Sequence, residues 1–326
     1  MRTLITGAAG MLGRKLVERL AREGAEGPFL LVDVVAPPVP PELAGRAEAV
    51  AVDIAAPGVA ARMVADRPAL IFHLAAVVSG EAEADFDKGQ RINFDATRAL
   101  LDAIRSQQGY CPRFVFASSI AVFGAPFPDR IPDDFLSAPR TSYGIQKAMG
   151  ELLVNDYSRR GWIDGVSIRL PTLCIRPGAP NKAASGFFSN ILREPLAGLP
   201  AVLPVPETVR HWHASPRSGV GFLIHAATMD SGPLGARRAL TMPGVSATVA
   251  EQIEALRRAA GDRAVALIRR EHDDGIAAMV AGWPQDFAPE RALAFGFRAE
   301  TEFDQIIAAH VEDELGGRHA FAEERT

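Results

Sequence analysis

Up to residue 170 the chain keeps repeating one phrase: a short apolar run, a turn, then an amphipathic stretch. Thr3-Leu4-Ile5, Phe29-Leu30-Leu31-Val32-Asp33 and Ala49-Val50-Ala51-Val52-Asp53 read as strands. So do Leu70-Ile71-Phe72-His73-Leu74-Ala75, Arg113 to Ser118, and Val166-Ser167-Ile168-Arg169-Leu170. Between them, Met11 to Glu23 sets Leu12, Leu16, Val17 and Leu20 on one helical face, and the stretch around Asn93 does the same with Phe94, Thr97, Leu101 and Ile104. Strands separated by helices return parallel, so this alternation limits the first half to βαβ units and a parallel sheet. After Pro171 the texture changes: prolines and glycines crowd residues 171–206 and the alternation is lost. A capped helix is expected after Ser246-Ala247-Thr248, a short strand at Val265 to Arg270, and a last helix from Phe303 to Leu315. A chain of 326 residues exceeds what one simple core supports. We therefore expect a first domain at 1–170, with part of 205–240 returning to it, a smaller lobe at 171–317, and a frayed tail at 318–326.

The first strand runs into Thr6-Gly7-Ala8-Ala9-Gly10-Met11-Leu12-Gly13, which opens the first helix. Gly7 and Gly10 leave room for a pyrophosphate to approach the backbone, and Gly13 lets helix and strand pack closely. The helix N-terminus adds free N–H groups and a partial positive charge. Glycine-rich turns are common for other reasons, but a strand before and an amphipathic helix after are the context a dinucleotide requires. Asp33 ends the second strand about 20 residues beyond the last glycine, where a carboxylate binds ribose hydroxyls. It would repel a 2′-phosphate, and Val34 and Val35 offer no cation to receive one, so the expected cofactor is NAD; Arg14 alone argues the other way. Asp53, with Ile54 beside it, is a candidate for the adenine end, though a strand-ending aspartate is equally an ordinary feature.

Tyr143 and Lys147 stand four residues apart, on one face of a predicted helix. With three tyrosines and four lysines in the chain, that spacing arises by chance only about 0.04 times. A free phenol titrates near ~10; a neighbouring ammonium favours the phenolate and lowers that value. Tyr143 then suits proton removal from a carbinol while a nicotinamide takes the hydride, with Ser119 holding the same oxygen. The helix's apolar residues, Ile145, Ala148, Met149, Leu152 and Leu153, are expected to form its core face, leaving Tyr143 and Lys147 free for chemistry.

Composition excludes more than it asserts. A hydrophobic content of 48% with 23% charge is ordinary for a globular chain, and a net charge of -4 makes no case for nucleic acid or an anionic membrane. No apolar run is long enough to span a bilayer, and the first strand leaves no room for a signal peptide. Cys111 and Cys174 fit neither a metal site nor a disulfide framework, so a reducing cytoplasm is expected. His211 and His213 share a strand face but lack a third ligand at suitable spacing, and no metal is expected.

These residues in this order resemble the extended short-chain dehydrogenase/reductase family, the NAD-dependent epimerases and dehydratases. The shared pieces are the Gly7, Gly10 and Gly13 turn with Met11 and Leu12, Asp33, Asp53-Ile54, His73-Leu74-Ala75-Ala76, Asn93, Ser119 and Tyr143-x-x-x-Lys147. The resemblance implies an α/β fold, a Rossmann-type doubly wound parallel sheet with a smaller mixed α/β C-terminal substrate lobe. It also implies bound NAD, a Ser–Tyr–Lys catalytic set, cofactor contacts from Leu74, Ala75, Ala76, Asn93, Lys147 and Pro171, and a homodimer through helix contacts. Dehydratases of the family carry Asp-Glu after the serine position, whereas this chain has Ile120-Ala121; the usual Val-Tyr-Gly reads Val122-Phe123-Gly124. Dehydration of a sugar is thereby disfavoured. The second half is most similar to the D-erythronate dehydrogenases of that family, through Arg169-Leu170-Pro171-Thr172, residues 176–185, residues 210–218 and residues 241–248. That likeness implies NAD-dependent oxidation of a four-carbon sugar acid at C2, a nucleotide-sugar epimerase being the alternative. A carboxylate needs cationic or N–H partners. Candidate substrate contacts are Ser79, Ser119, Tyr143, Asn181, Arg176, Lys182, Arg210 and Arg217.

Overall fold

A computed structural model of the chain describes residues 2–178 and 185–322. The chain divides into two compact units, Met1–Val122 with Ser137–Leu170 and Val220–Met242, and Phe123–Leu136 with Pro171–Gly219 and Pro243–Thr326.

The first unit is built on seven strands: β1 (Thr3–Thr6), β2 (Phe29–Asp33), β3 (Ala47–Ala51), β4 (Leu70–His73), β5 (Arg113–Ser119), β6 (Asp164–Leu170) and β7 (Ala239–Thr241). Their order is β7-β6-β5-β4-β1-β2-β3 and every pairing is parallel. This is a doubly wound Rossmann-type sheet, whose order reverses between β1 and β4. The middle strands are buried on both faces, so they read as continuous apolar runs. Leu4, Val32, Ile71, Phe114 and Phe116 pack with Leu100, Leu101 and Ile104 of the Ala96–Arg105 helix in one core.

The expected third strand sits two residues too late. It runs Ala47–Ala51, and Asp53 lies in the turn beyond it. Val52 N–H still bonds to the Asp33 carbonyl, so the apolar pattern outlasts the ladder at this sheet edge. β7 was not legible in the sequence, because three residues are too few to show a period.

The second unit holds a three-stranded sheet. Arg210–Ala214 pairs antiparallel with Val245–Thr248 and parallel with Thr172–Leu173. Its core gathers Phe188, Ile191 and Leu192 with Ile253, Leu256, Ile306 and Ile307, from the helices Gly186–Leu196, Val249–Ala260 and Phe303–Glu314. The expected cap is present: Thr248 Oγ1 accepts from Glu251 N–H while Glu251 accepts from Thr248 N–H. Three expectations are corrected. Asp262–Val265 is helical and only Ile268–Arg270 forms a strand, beside Ala201–Leu203. Residues 123–136, assigned by sequence to the first domain, belong to the second unit, where Phe123 packs on Phe135 and Phe287 and Ile131 pairs with Phe287. Part of the expected frayed tail is tied down: Ala320 N–H donates to Leu196 O, and Phe321 packs against the unit's core. No described helix is long and apolar enough to cross a membrane.

Candidate active site

At the end of β1, Gly7 takes a φ of +73°, and a Cβ there would lie 2.6 Å from the Ala75 nitrogen. One at Gly13 would lie 2.1 Å from the Gly7 carbonyl oxygen. Both glycines are therefore demanded by the packing of the turn itself, beyond any ligand. Gly10 is different. A Cβ there meets only the Gly7 carbonyl oxygen, at 3.3 Å, and the residue caps the Met11–Arg22 helix in extended backbone. Without a side chain it leaves the helix end bare, where first-turn N–H groups have no carbonyl of their own.

Asp33 braces this turn from β2. Its Oδ2 accepts Ala9 N–H at 2.9 Å and its Oδ1 accepts Val34 N–H at 2.7 Å. An ionised carboxylate offers about four acceptor positions, so capacity remains for ribose hydroxyls. Val34 and Val35 beyond it are 71% and 60% exposed, an apolar edge with no cation for a 2′-phosphate. Asp53 accepts from Ala55 N–H and pairs with Arg91 at 2.5 Å, with Ile54 buried next to it. Past β4 the chain leaves a ledge, Leu74 and Ala75 half-buried and Ala76 exposed. Asn93 fastens that ledge: its Oδ1 accepts Val77 N–H, and its Nδ2 donates to Val77 O and to Gln146 Oε1. Ser79 opens the following Ser79–Ala84 helix. A bare helix end, a bracing acid and an apolar ledge fit an NAD molecule.

His73 turns out to be structural. Its ring bonds to Thr6 and Thr97 and stacks on Phe116, and burial pushes it down to about 3, so it is neutral. It ties β1 to the Ala96–Arg105 helix through β4.

The Ser142–Arg159 helix starts at Thr141, whose side chain accepts Gly144 N–H. Two glycines decide where it lies. A Cβ on Gly144 would stand 2.2 Å from the Ala121 carbonyl oxygen, and one on Gly150 would stand 2.6 Å from the Phe116 ring. The helix thus rests directly on the end of β5 and on the Ile120–Val122 turn. That contact brings Tyr143 and Lys147 to the strand end that carries Ser119. Lys147 is 2% exposed; its Nζ donates to Ala117 O at 2.8 Å and lies 4.9 Å from the centre of the Phe116 ring and 5.7 Å from that of Tyr143. Burial pushes its ammonium down to about 8 against the upward pull of Glu151. Ser119 Oγ accepts Ala121 N–H at 3.1 Å, which leaves its own proton to donate. The Tyr143 ring and the desolvated Lys147 ammonium thus lie together on the helix that rests on the end of the strand bearing Ser119, groups of the kind that can move a carbinol proton.

The expected core face of this helix is corrected. Ile145 and Leu152 are 45% and 67% exposed, and the buried face is Gly144, Lys147, Gly150, Glu151 and Val154. The sheet is approached through the glycines and the charged residues, which leaves Ile145 and Leu152 outside while Leu153 still packs on the core.

The basic candidates for a substrate lie in the second unit, and each has partners there. Arg176 Nη2 donates to Ser185 Oγ, Arg210 pairs with Glu251 at 3.3 Å, and Arg217 pairs with Glu312 and Asp313 at 2.8 and 2.7 Å. Asn181 and Lys182 lie outside the described residues. His211 donates from Nδ1 to Pro284 O and accepts from Thr172 at Nε2, and His213 bonds to Gln252. Both rings are buried against Phe188 and held neutral by burial, His211 at about 4. No group of side chains among the described residues is arranged to hold a metal ion.

Residues 3–212 match the model of the NAD dependent epimerase/dehydratase family. D-erythronate dehydrogenase of Cupriavidus necator is 44% identical over 322 residues, 96% of this chain and 98% of that protein. The Haemophilus influenzae enzyme of the same name is 40% identical over 97% of this chain and all of its own length. Among solved structures, a nucleoside-diphosphate-sugar epimerase from Agrobacterium tumefaciens is 61% identical with a TM-score of 0.94, covering 97% of this chain and 95% of its own. L-threonine 3-dehydrogenase from Trypanosoma brucei superposes with a TM-score of 0.85 at 25% identity, over 97% of this chain and 98% of its own. With a family match over more than half its length and relatives 44% and 40% identical over nearly all of it, the chain belongs to the NAD-dependent epimerase/dehydratase family, the extended short-chain dehydrogenase/reductases, and is an NAD-dependent oxidoreductase.

Proposed function

We propose that the protein oxidises the C2 hydroxyl of a small sugar acid, D-erythronate first among them, to the 2-oxo acid, within sugar-acid breakdown. The observation that carries this reading is the identity to D-erythronate dehydrogenases of 44% and 40% across nearly the whole chain, second unit included. Bound NAD supplies the hydride acceptor. Tyr143 takes the hydroxyl proton, and the Ser119 O–H holds the same oxygen. The Lys147 ammonium favours the phenolate by charge, and its remaining N–H donors bind ribose hydroxyls of the cofactor.

A nucleotide-sugar epimerase is the second reading, favoured by the name of the 61% identical solved structure. Both use a tyrosine base, but only the dehydrogenase releases reduced cofactor. Incubated with NAD and D-erythronate, the protein is expected to accumulate reduced nicotinamide in step with substrate consumed, and with UDP-glucose to do nothing. Conversion of UDP-glucose to its C4 epimer, with four-carbon acids inert, would decide for the epimerase.

The stripe of exposed Ile145 and Leu152 with half-buried Ala148 and Met149, at helical spacing, supports a homodimer through this helix. Leu152→Glu places a charge in that stripe and is expected to sediment as a monomer where the parent sediments as a dimer. Unaltered sedimentation would remove this contact from consideration.

A further inference from the structure

One turn beyond Lys147 the same helix carries Glu151, 4% exposed. Its carboxylate is gripped from two strands. Ser118 Oγ of β5 donates to Oε1 at 2.5 Å. From β6, Arg169 Nε donates to Oε1 at 2.9 Å and to Oε2 at 3.1 Å, and Arg169 Nη2 donates to Oε2 at 2.7 Å. Arg169 is held in turn by Ser137, 3.2 Å from Nη2. A buried ion pair of this kind adds little stability over apolar residues of the same volume, so stability is a poor account of it.

The surroundings of Lys147 suggest what the pair does. From β5 the ammonium meets the Phe116 ring and the Ala117 carbonyl; from β4 it faces His73, which is neutral. On its own helix lie Tyr143 on one side and Glu151 on the other. Glu83, from the Ser79–Ala84 helix, accepts Ser142 N–H at the helix start, and Asn93 and Gln146 alongside carry no charge. Glu151 is thus the carboxylate that counters the desolvation of Lys147. The Arg169 fork and the Ser118 hydroxyl keep that carboxylate ionised and in one place.

We propose that Glu151, clamped by Arg169 and Ser118, is a positioning residue that keeps the buried Lys147 ammonium charged beside Tyr143. The inference rests on the reading of Tyr143 as the base. Burial drives Lys147 toward the neutral amine, and without Glu151 its shell keeps neutral partners, the Ala117 carbonyl and the Phe116 ring, but loses the carboxylate that opposes the shift. A neutral Lys147 no longer stabilises the phenolate.

The chain is suited to a direct test, because it has three tyrosines and two are removed from the useful range. Burial pushes Tyr110 far up, and burial with Asp102 beside it pushes Tyr157 up to about 12. The phenolate absorbance that develops first on raising pH therefore reports Tyr143, and its loss in Tyr143→Phe verifies the assignment. In the full chain without cofactor or substrate, Glu151→Gln is expected to move that phenolate step up by about one pH unit. The acid limb of kcat/KM moves with it, so that activity at neutral pH falls about tenfold. The sign discriminates: if Lys147 kept its charge, losing a nearby carboxylate would favour the phenolate and move the step down. A step that stays put or moves down overturns the proposal. Should Glu151→Gln fail to fold because Arg169 is left unpaired, the double variant Glu151→Gln/Arg169→Gln is compared with Arg169→Gln alone, so that the direct effect of losing the arginine charge cancels. A step higher in the double variant than in Arg169→Gln supports the proposal, and one equal or lower overturns it. Glu151→Asp, which keeps the charge, is expected to titrate close to the parent. Retained turnover in Tyr143→Phe would instead sink the underlying reading, so the two failures are distinct.

Discussion

Tyr143→Phe is expected to lower kcat about a thousandfold while NAD still binds with its parental affinity. The change deletes one oxygen atom from a half-buried ring. The helix keeps its seat, since that depends on Gly144 against Ala121 and Gly150 against Phe116. Lys147 keeps its bond to Ala117 O. What is lost, on the proposed mechanism, is the group that accepts the carbinol proton, with Ser119 able to hold the oxygen but not to deprotonate it. Steady-state turnover with D-erythronate, alongside NADH titration by fluorescence, checks both halves. Turnover within tenfold of the parent would mean that the proton leaves by another route. A comparable loss of NAD affinity would mean that the phenol serves cofactor binding rather than chemistry.

Gly13→Ala is expected to damage the cofactor site and the fold together. The added methyl would lie 2.1 Å from the Gly7 carbonyl oxygen and 2.7 Å from the Ala8 Cα, and backbone atoms on both sides leave no flexible neighbour to give way. Overpacking of this kind costs about 3 kcal/mol. For a protein of this size that corresponds to a fall in Tm of roughly 4 °C. The helix moves off the turn to relieve the clash, and the Ala9 N–H to Asp33 contact moves with it. NAD affinity should drop by about a hundredfold, the equivalent of ~2.8 kcal/mol. Thermal unfolding with and without NAD measures both effects; a variant with parental Tm would show that the turn relaxes without strain.

Much of the first unit was open to sequence reasoning because its signals are local. A glycine turn between a strand and an amphipathic helix, Asp33 at a strand end and a Tyr-x-x-x-Lys spacing are all statements about neighbours along the chain. The parts that escaped are set by distant residues. The apolar stripe of the catalytic helix was taken for its core face because amphipathicity ordinarily points inward. Here the contact with the sheet needs close approach, which glycine allows and leucine does not. Glu151 carried no signal along the chain, since its partners Ser118 and Arg169 lie 33 and 18 residues away. A spacing of four from Lys147 was the one available hint. Arg176, Arg210 and Arg217 were candidates for a carboxylate by charge alone, and each has a partner in its own unit, as an ordinary surface or lobe-packing charge does.

The sequence by itself determined the alternation of the first unit's first six strands with helices, the glycine turn for a dinucleotide, and the pairing of Tyr143 with Lys147. Backbone propensity and helical spacing act over a few residues and hold wherever those residues end up. Tertiary structure alone decided that Lys147 is buried, that Glu151 is clamped within its reach, and that Ile145 and Leu152 face outward. Desolvation and Coulomb energy depend on what surrounds an atom in space, and those surroundings come from β4, β5 and β6 together.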